Sequence, residues 1–112
     1  MLTSGDILEV DLGSPTGPEA GFRALVVTAQ RILDQGPNVI HVVPPTTTLR
    51  PFGSEVTIEP DEGNSLPHPS AAQCQHIRAV SISRVDQIGG NVGPTVLIQI
   101  RNVLGLILDI PA

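Results

Sequence analysis

Apolar and polar residues alternate from the first strand-like segment onward. In residues 5–12, GDILEVDL, Ile7, Glu9 and Asp11 fall on one side of an extended backbone, and Leu8, Val10 and Leu12 fall on the other. A period of two is the mark of a strand. Residues 13–21, GSPTGPEAG, hold five Gly or Pro residues and read as a loop. RALVVTA at 23–29 is a short apolar, β-branched run, which predicts a buried strand. Residues 30–38 accommodate one helical turn closed by Gly36-Pro37. NVIHVVPP at 38–45 predicts a third strand, stopped by two prolines that cannot feed a central ladder. Residues 46–54 (TTTLRPFGS) read as loop, 55–59 (EVTIE) as a short alternating strand and 60–70 as a polar, turn-rich loop. AAQCQHIRAVSIS at 71–83 returns to strand character.

The pattern then changes period. Val96, Ile100, Val103, Leu104 and Ile107 recur at helical spacing, with Pro94 near the favoured first position and Asn91 or Gly93 before it. An amphipathic helix of about four turns follows from the usual rise. Short strands followed by one terminal helix predict a mainly β fold, a small antiparallel barrel or sandwich with a C-terminal helix. At 112 residues the chain is expected to be one domain, 1–112. So small a domain buries limited surface alone, and the helix is richly apolar, so a homodimer is expected.

Composition narrows the function classes. Charged residues are 15% and apolar ones 40%, which excludes the composition of a disordered chain. A single cysteine excludes a disulfide framework and a multi-thiolate zinc site, and fits a reducing compartment. No run approaches the ~18 apolar residues of a membrane span, and Asp6, Glu9 and Asp11 are foreign to a signal peptide. The expectation is a cytoplasmic domain with no membrane partner. The formal net charge of −5 argues against coating nucleic acid by bulk electrostatics. Yet all six basic residues are arginine, at 23, 31, 50, 78, 84 and 101. Arginine's planar donor fork suits phosphate, so a local phosphate site remains open.

Candidate chemistry is sparse. The three histidines and Cys74 show no metal-ligand spacing, and no metal or other cofactor is expected. Cys74 and His76 stand two apart on what reads as one strand face, and a buried thiol beside a satisfied histidine explains them better than a metal pair. The glycine-rich loop matches no nucleotide-binding pattern. It carries Glu19, four residues before Arg23, which in isolation reads as a surface ion pair. Thr46, Thr47 and Thr48 follow two prolines and read in isolation as turn residues. Taken together, a strand starting at Arg23 and one ending at Thr46 could bring a guanidinium and a hydroxyl to the same rim of a barrel.

The blocks GDILEVDLG at 5–13, GPEAGFRALVV at 17–27, VVPPTTTLR at 42–50, FGSEV at 52–56 and S-x-x-x-C-x-x-I-R-x-V-S-x-x-R at 70–84 resemble the MazF/PemK toxins of bacterial toxin–antitoxin pairs, in order and spacing. The resemblance implies an SH3-like barrel of five to seven strands with short helices, forming a symmetric dimer. It implies metal-independent cleavage of single-stranded RNA at a short sequence, leaving a 2′,3′-cyclic phosphate and a 5′-hydroxyl, and a MazE-like antitoxin partner. The family's loop arginine falls on Arg23, its catalytic threonine on Thr46, and its loop glutamate most nearly on Glu19. This chain departs from the family in having Glu-Ala-Gly for Glu-Gln-Ala-Gly, Arg23-Ala24 for Arg-Pro, and Gln75-His76 for Asp-Gln.

Such chemistry suits these residue types. RNA supplies its own 2′-hydroxyl nucleophile, and charge building on phosphate oxygens is stabilised by a fixed arginine and a hydroxyl donor. Arg23 is assigned electrostatic duty, because its pKa is too high for easy proton donation. Glu19 is the expected base and His76 the alternative. Thr47, Thr48, Arg50, His76, Arg78 and Arg84 are the expected RNA contacts, with solvated or ion-paired arginines the competing reading for the last group. Two other functions compete: a non-enzymatic toxin resembling CcdB that traps gyrase through C-terminal residues, and a degenerate family member that binds antitoxin without cutting.

Overall fold

The structure is a computed structural model and describes residues 1–11 and 22–111. Its fold is mainly β, as the alternation predicts. A five-stranded antiparallel sheet has the order β7-β3-β2-β1-β8, built from β1 (Asp6–Val10), β2 (Phe22–Val26), β3 (Val39–Val43), β7 (Arg78–Ser81) and β8 (Val85–Asn91). A three-stranded sheet has the order β4-β6-β5, from β4 (Pro45–Thr46), β5 (Glu55–Ile58) and β6 (Ser70–Gln73). A one-turn helix α1 (Gln30–Leu33) and a terminal helix α2 (Gly93–Ile107) complete the described elements. The two edge strands of the larger sheet, β7 and β8, are joined only by a 3-10 turn over Ile82–Arg84, so that sheet curls back on itself.

Alternation sorts the large sheet's side chains into two buried layers. Leu8, Val10, Ala24, Val26, Ile40 and Val42 pack on one face with Leu33 and Val80. Ile7, Leu25 and Val43 pack on the other face, against Val56, Ile58 and Ala72 of the small sheet and Leu97, Ile100 and Leu104 of α2. The helix thus buries the stripe expected of it, with Leu97 added. Ile107, placed on that stripe by spacing, is 41% exposed because the helix ends there. The turn after α1 ends at Gly36, whose φ of 68° is left-handed and suits glycine, as the Gly36-Pro37 pair predicts.

Three sequence expectations are corrected, and one strand goes unforeseen. Residues 71–83 are not one strand: β6 and β7 belong to different sheets, and a 3-10 turn at Cys74–His76 carries the chain between them. Cys74 and His76 accordingly do not share a strand face; the thiol is buried and the imidazole exposed. Residues 46–54 are not all loop, because Pro45 and Thr46 pair with Ala72 and Ala71. Proline is tolerated there because β4 is an edge strand and needs no outward donor. Finally, β8 escapes sequence reading, since VDQIGGN lacks clean alternation and has two glycines before its last residue. Gly90 is required by packing: a Cβ there would stand 2.4 Å from the Asn64 carbonyl oxygen, where the 60–66 loop lies on β8.

Candidate functional site

The site forms where the layer between the two sheets opens to solvent. Arg23 and Leu25 share a face of β2, as Glu9 and Ile7 share a face of β1. Ile7 and Leu25 are covered by the small sheet, whereas Glu9 and Arg23, one step toward the sheet's end, are not. Antiparallel register sets Glu9 directly opposite Arg23, and Gln87 opposite Glu9 on β8. The Arg23 Nε–H donates to Glu9 Oε1 at 3.3 Å, with the two side chains 47% and 41% exposed. This is long for a charge-assisted bond, and it leaves both terminal nitrogens of the guanidinium unbonded within the described residues.

Thr46 reaches the same place from the other sheet. Its β4 ladder to Ala71 holds the backbone, and its Oγ1 accepts the Thr48 N–H at 3.1 Å. A hydroxyl that accepts in this way still has its own proton to donate. Arg23, Thr46 and Thr47 line one concavity of about 340 Å³ with Pro45, Leu66 and Ser70. A smaller hollow of about 110 Å³, containing Glu9, Asn64 and Gln87, adjoins it across Arg23 and Leu66. Its wall is preorganised: Asn64, 2% exposed, accepts the N–H groups of Asp61 and Leu66 and donates to the Glu59 carbonyl.

The other expected residues lie apart from this concavity or outside the described residues. Arg78 and Arg84 face a second concavity of about 220 Å³, with Asp11 and Ser81. Arg78 lies over the Phe22 ring, 5.2 Å from its centroid. Because Phe22 and Arg23 are consecutive in β2, the two concavities flank the start of that strand on opposite faces. Arg50 is bound up elsewhere: its Nη2 donates to Glu55 Oε2 at 2.6 Å, and its guanidinium lies 4.4 Å from the Phe52 centroid. His76 is exposed on its turn and lines neither arginine concavity. Glu19 lies outside the described residues.

Among the described residues, Cys74 and Glu55 have displaced pKa values. Burial pushes the Cys74 thiol up to about 11, so it is protonated at neutral pH and ill-suited to nucleophilic attack. The Arg50 hydrogen bond, aided by Gln75, holds Glu55 below the usual carboxylate range. Sequence reasoning missed Glu9, Gln87 and Glu55. For Glu9 a signal existed, its shared face with Ile7, but only the register shows that Arg23 is its partner. Among the described residues no group of three His, Cys, Asp or Glu side chains could hold a metal ion. No helix among them is long and apolar enough to cross a membrane.

Solved structures share this fold. The Mycobacterium tuberculosis toxin MazF-mt6 superposes with a TM-score of 0.76 at 19% identity, covering 96% of this chain and 99% of that one. A mycobacterial endoribonuclease in complex with its cognate antitoxin gives 0.78 at 20% identity, covering 100% and 99%. A MazE–MazF complex from Deinococcus radiodurans gives 0.75 at 22% identity, covering 98% and 97%. No curated protein matches the chain. The model of the PemK-like, MazF-like toxins of type II toxin–antitoxin systems matches residues 3–108, nearly the whole chain, and the chain belongs to that family.

Proposed function

We propose that the protein is a toxin endoribonuclease that cuts single-stranded RNA, acting in the cytoplasm as a homodimer and neutralised by a MazE-like antitoxin. The observation that carries this reading is the shared concavity of Arg23 and Thr46, with two guanidinium nitrogens and one hydroxyl proton uncommitted. In the proposed step the RNA 2′-oxygen bonds to the adjacent phosphorus and the bond from phosphorus to the 5′-oxygen breaks. A cyclic phosphate and a 5′-hydroxyl result. Arg23 and Thr46 donate to the phosphate oxygens as charge develops. Glu9, by holding Nε, limits how the Arg23 guanidinium can turn. The 2′-hydroxyl proton passes to Glu19, the alternative His76 standing outside this concavity, and a proton must reach the departing 5′-oxygen. Since the substrate carries its own nucleophile, no metal-bound water is required.

Arg78 and Arg84 are proposed to hold flanking phosphates, with Thr47 and Thr48 nearer the scissile bond. The homodimer is supported by exposed apolar side chains, among them Ile88 at 47%, around a groove of about 710 Å³ lined by Leu2, Leu33, Ile82 and Val85. The test is incubation with a mixed RNA in EDTA, followed by sequencing of the new 5′ ends. Cleavage that survives chelation and stops on 2′-deoxy substitution at the cut site is expected. Growth inhibition without any cleavage would return the protein to a non-enzymatic class, and inert protein to a degenerate antitoxin binder.

A further inference from the structure

The second arginine–carboxylate pair has a geometry that surface charge does not explain. The Glu55 side chain is 1% exposed, and a buried carboxylate is tolerated only when its oxygens are hydrogen-bonded. Oε2 receives three donors: Arg50 Nη2 at 2.6 Å, Gln75 Nε2 at 2.7 Å and Gln73 Nε2 at 3.2 Å. Oε1 is buried without a partner, as is the Gln75 Oε1. An apolar side chain would fill this space without that penalty, so stability alone gives little reason for an acid here.

The donors come from three separate segments. Gln73 closes β6, Gln75 lies in the 3-10 turn between the sheets, and Arg50 stands in the loop from β4 to β5. That loop begins directly after Thr46. Between Thr47 and Gly53 its one side-chain bond to the rest of the protein, among the described residues, is Arg50 to Glu55. Within the loop, the Thr48 N–H donates to Thr46 Oγ1 and so restricts which way that hydroxyl can point.

We propose that Glu55 is a positioning residue: by holding Arg50 it fixes the 47–54 loop, keeps the Thr48 amide on Thr46 Oγ1, and thereby orients the Thr46 hydroxyl for RNA cleavage. This rests on the RNA-cleavage reading and changes the duty of Arg50, which then serves the loop rather than the RNA backbone.

The test compares Glu55→Gln, Arg50→Ala, Arg50→Lys and the Glu55→Gln/Arg50→Ala double variant with wild type, by RNA cleavage and by amide hydrogen exchange at Thr48. Weakening one charged hydrogen bond is expected to lower kcat about tenfold in Glu55→Gln, with KM within about twofold. The Thr48 amide should exchange faster in the same variant. The double variant should be no slower than the worse single one, because the two residues act as one unit. Arg50→Lys keeps a cation for Glu55 and should stay within about threefold of wild type, if Arg50 acts on the acid rather than on RNA. If Glu55→Gln does not fold, Arg50→Ala and Arg50→Lys carry the comparison. Unchanged kcat and exchange in a folded variant, or losses that multiply in the double variant, would overturn the assignment. Should wild type cut no RNA, the functional reading fails by itself, and Thr48 exchange still decides whether the clamp holds the loop.

Discussion

Two arginine–carboxylate pairs among the described residues share their chemistry and differ in distance and exposure. Arg23 and Glu9 meet across two strands at 3.3 Å with both side chains over 40% exposed. Arg50 and Glu55 meet at 2.6 Å with the acid 1% exposed and two glutamine amides added. Water competes for the first pair and keeps it weak, so its arginine can turn donors toward a ligand. Water is kept from the carboxylate of the second, so Arg50, itself 37% exposed, is drawn to that acid by one short bond. A charged side chain near a concavity is therefore available to substrate only where solvent keeps its existing partner loose.

The largest effects should break this contrast at the exposed pair. Arg23→Ala and Thr46→Ala are each expected to lower RNA cleavage by about 100- to 1,000-fold, the usual loss for one donor to a developing oxyanion. Circular dichroism should show both variants folded. Retained cutting in either would move the chemistry elsewhere.

The buried pair should respond through stability instead. Arg50→Ala leaves Glu55 without its cation, so its thermal midpoint should fall further than that of Arg23→Ala, measured by calorimetry at pH 7. A pH series adds a sign. Glu55 titrates lower when folded than when unfolded, so its contribution is complete above its unfolded pKa of about 4.3 and is lost as pH falls through the lower folded value. Thr48 exchange, corrected for its intrinsic pH dependence, should therefore rise in wild type as acidification protonates the folded Glu55, at a pH under its unfolded value, and show no such rise in Glu55→Gln.

Two smaller effects sharpen the comparison. Arg78→Ala should weaken RNA binding and reduce the slope of log affinity against log salt by about 0.7, the release expected for one phosphate contact on a single strand. An unchanged slope would confine Arg78 to its place over Phe22. Glu9→Gln should cost no more than about 1 kcal/mol of stability and slow cleavage less than about tenfold, because it only orients Arg23. A loss of 100-fold or more would make Glu9 the proton acceptor.

Much of this was legible along the chain. The alternation in residues 5–12 assigned Leu8 and Val10 to one buried face and Ile7 to the other. The family blocks pointed to Arg23 and Thr46, which the fold brings to one concavity. What stayed hidden has definite causes. β8 was obscured by Gly89 and Gly90, the second needed for the backbone approach of Asn64 rather than for side-chain packing. The break at Cys74–His76 was obscured because apolar and polar residues keep alternating from Ala72 to Gln75, past the end of β6 at Gln73. Arg50 resembled a phosphate ligand because nothing local shows that Glu55, five residues on, is buried.

By itself the sequence determined the strands whose side chains alternate, the period and buried stripe of the terminal helix, and the family. These depend on neighbours two to four residues apart, which any stretch of chain displays. Only the tertiary structure decided that Glu9 faces Arg23, that Thr46 reaches the same opening from another sheet, and that Arg50 is tied to a buried acid. Those outcomes depend on strand register and on how far water penetrates, and both are set by residues distant along the chain.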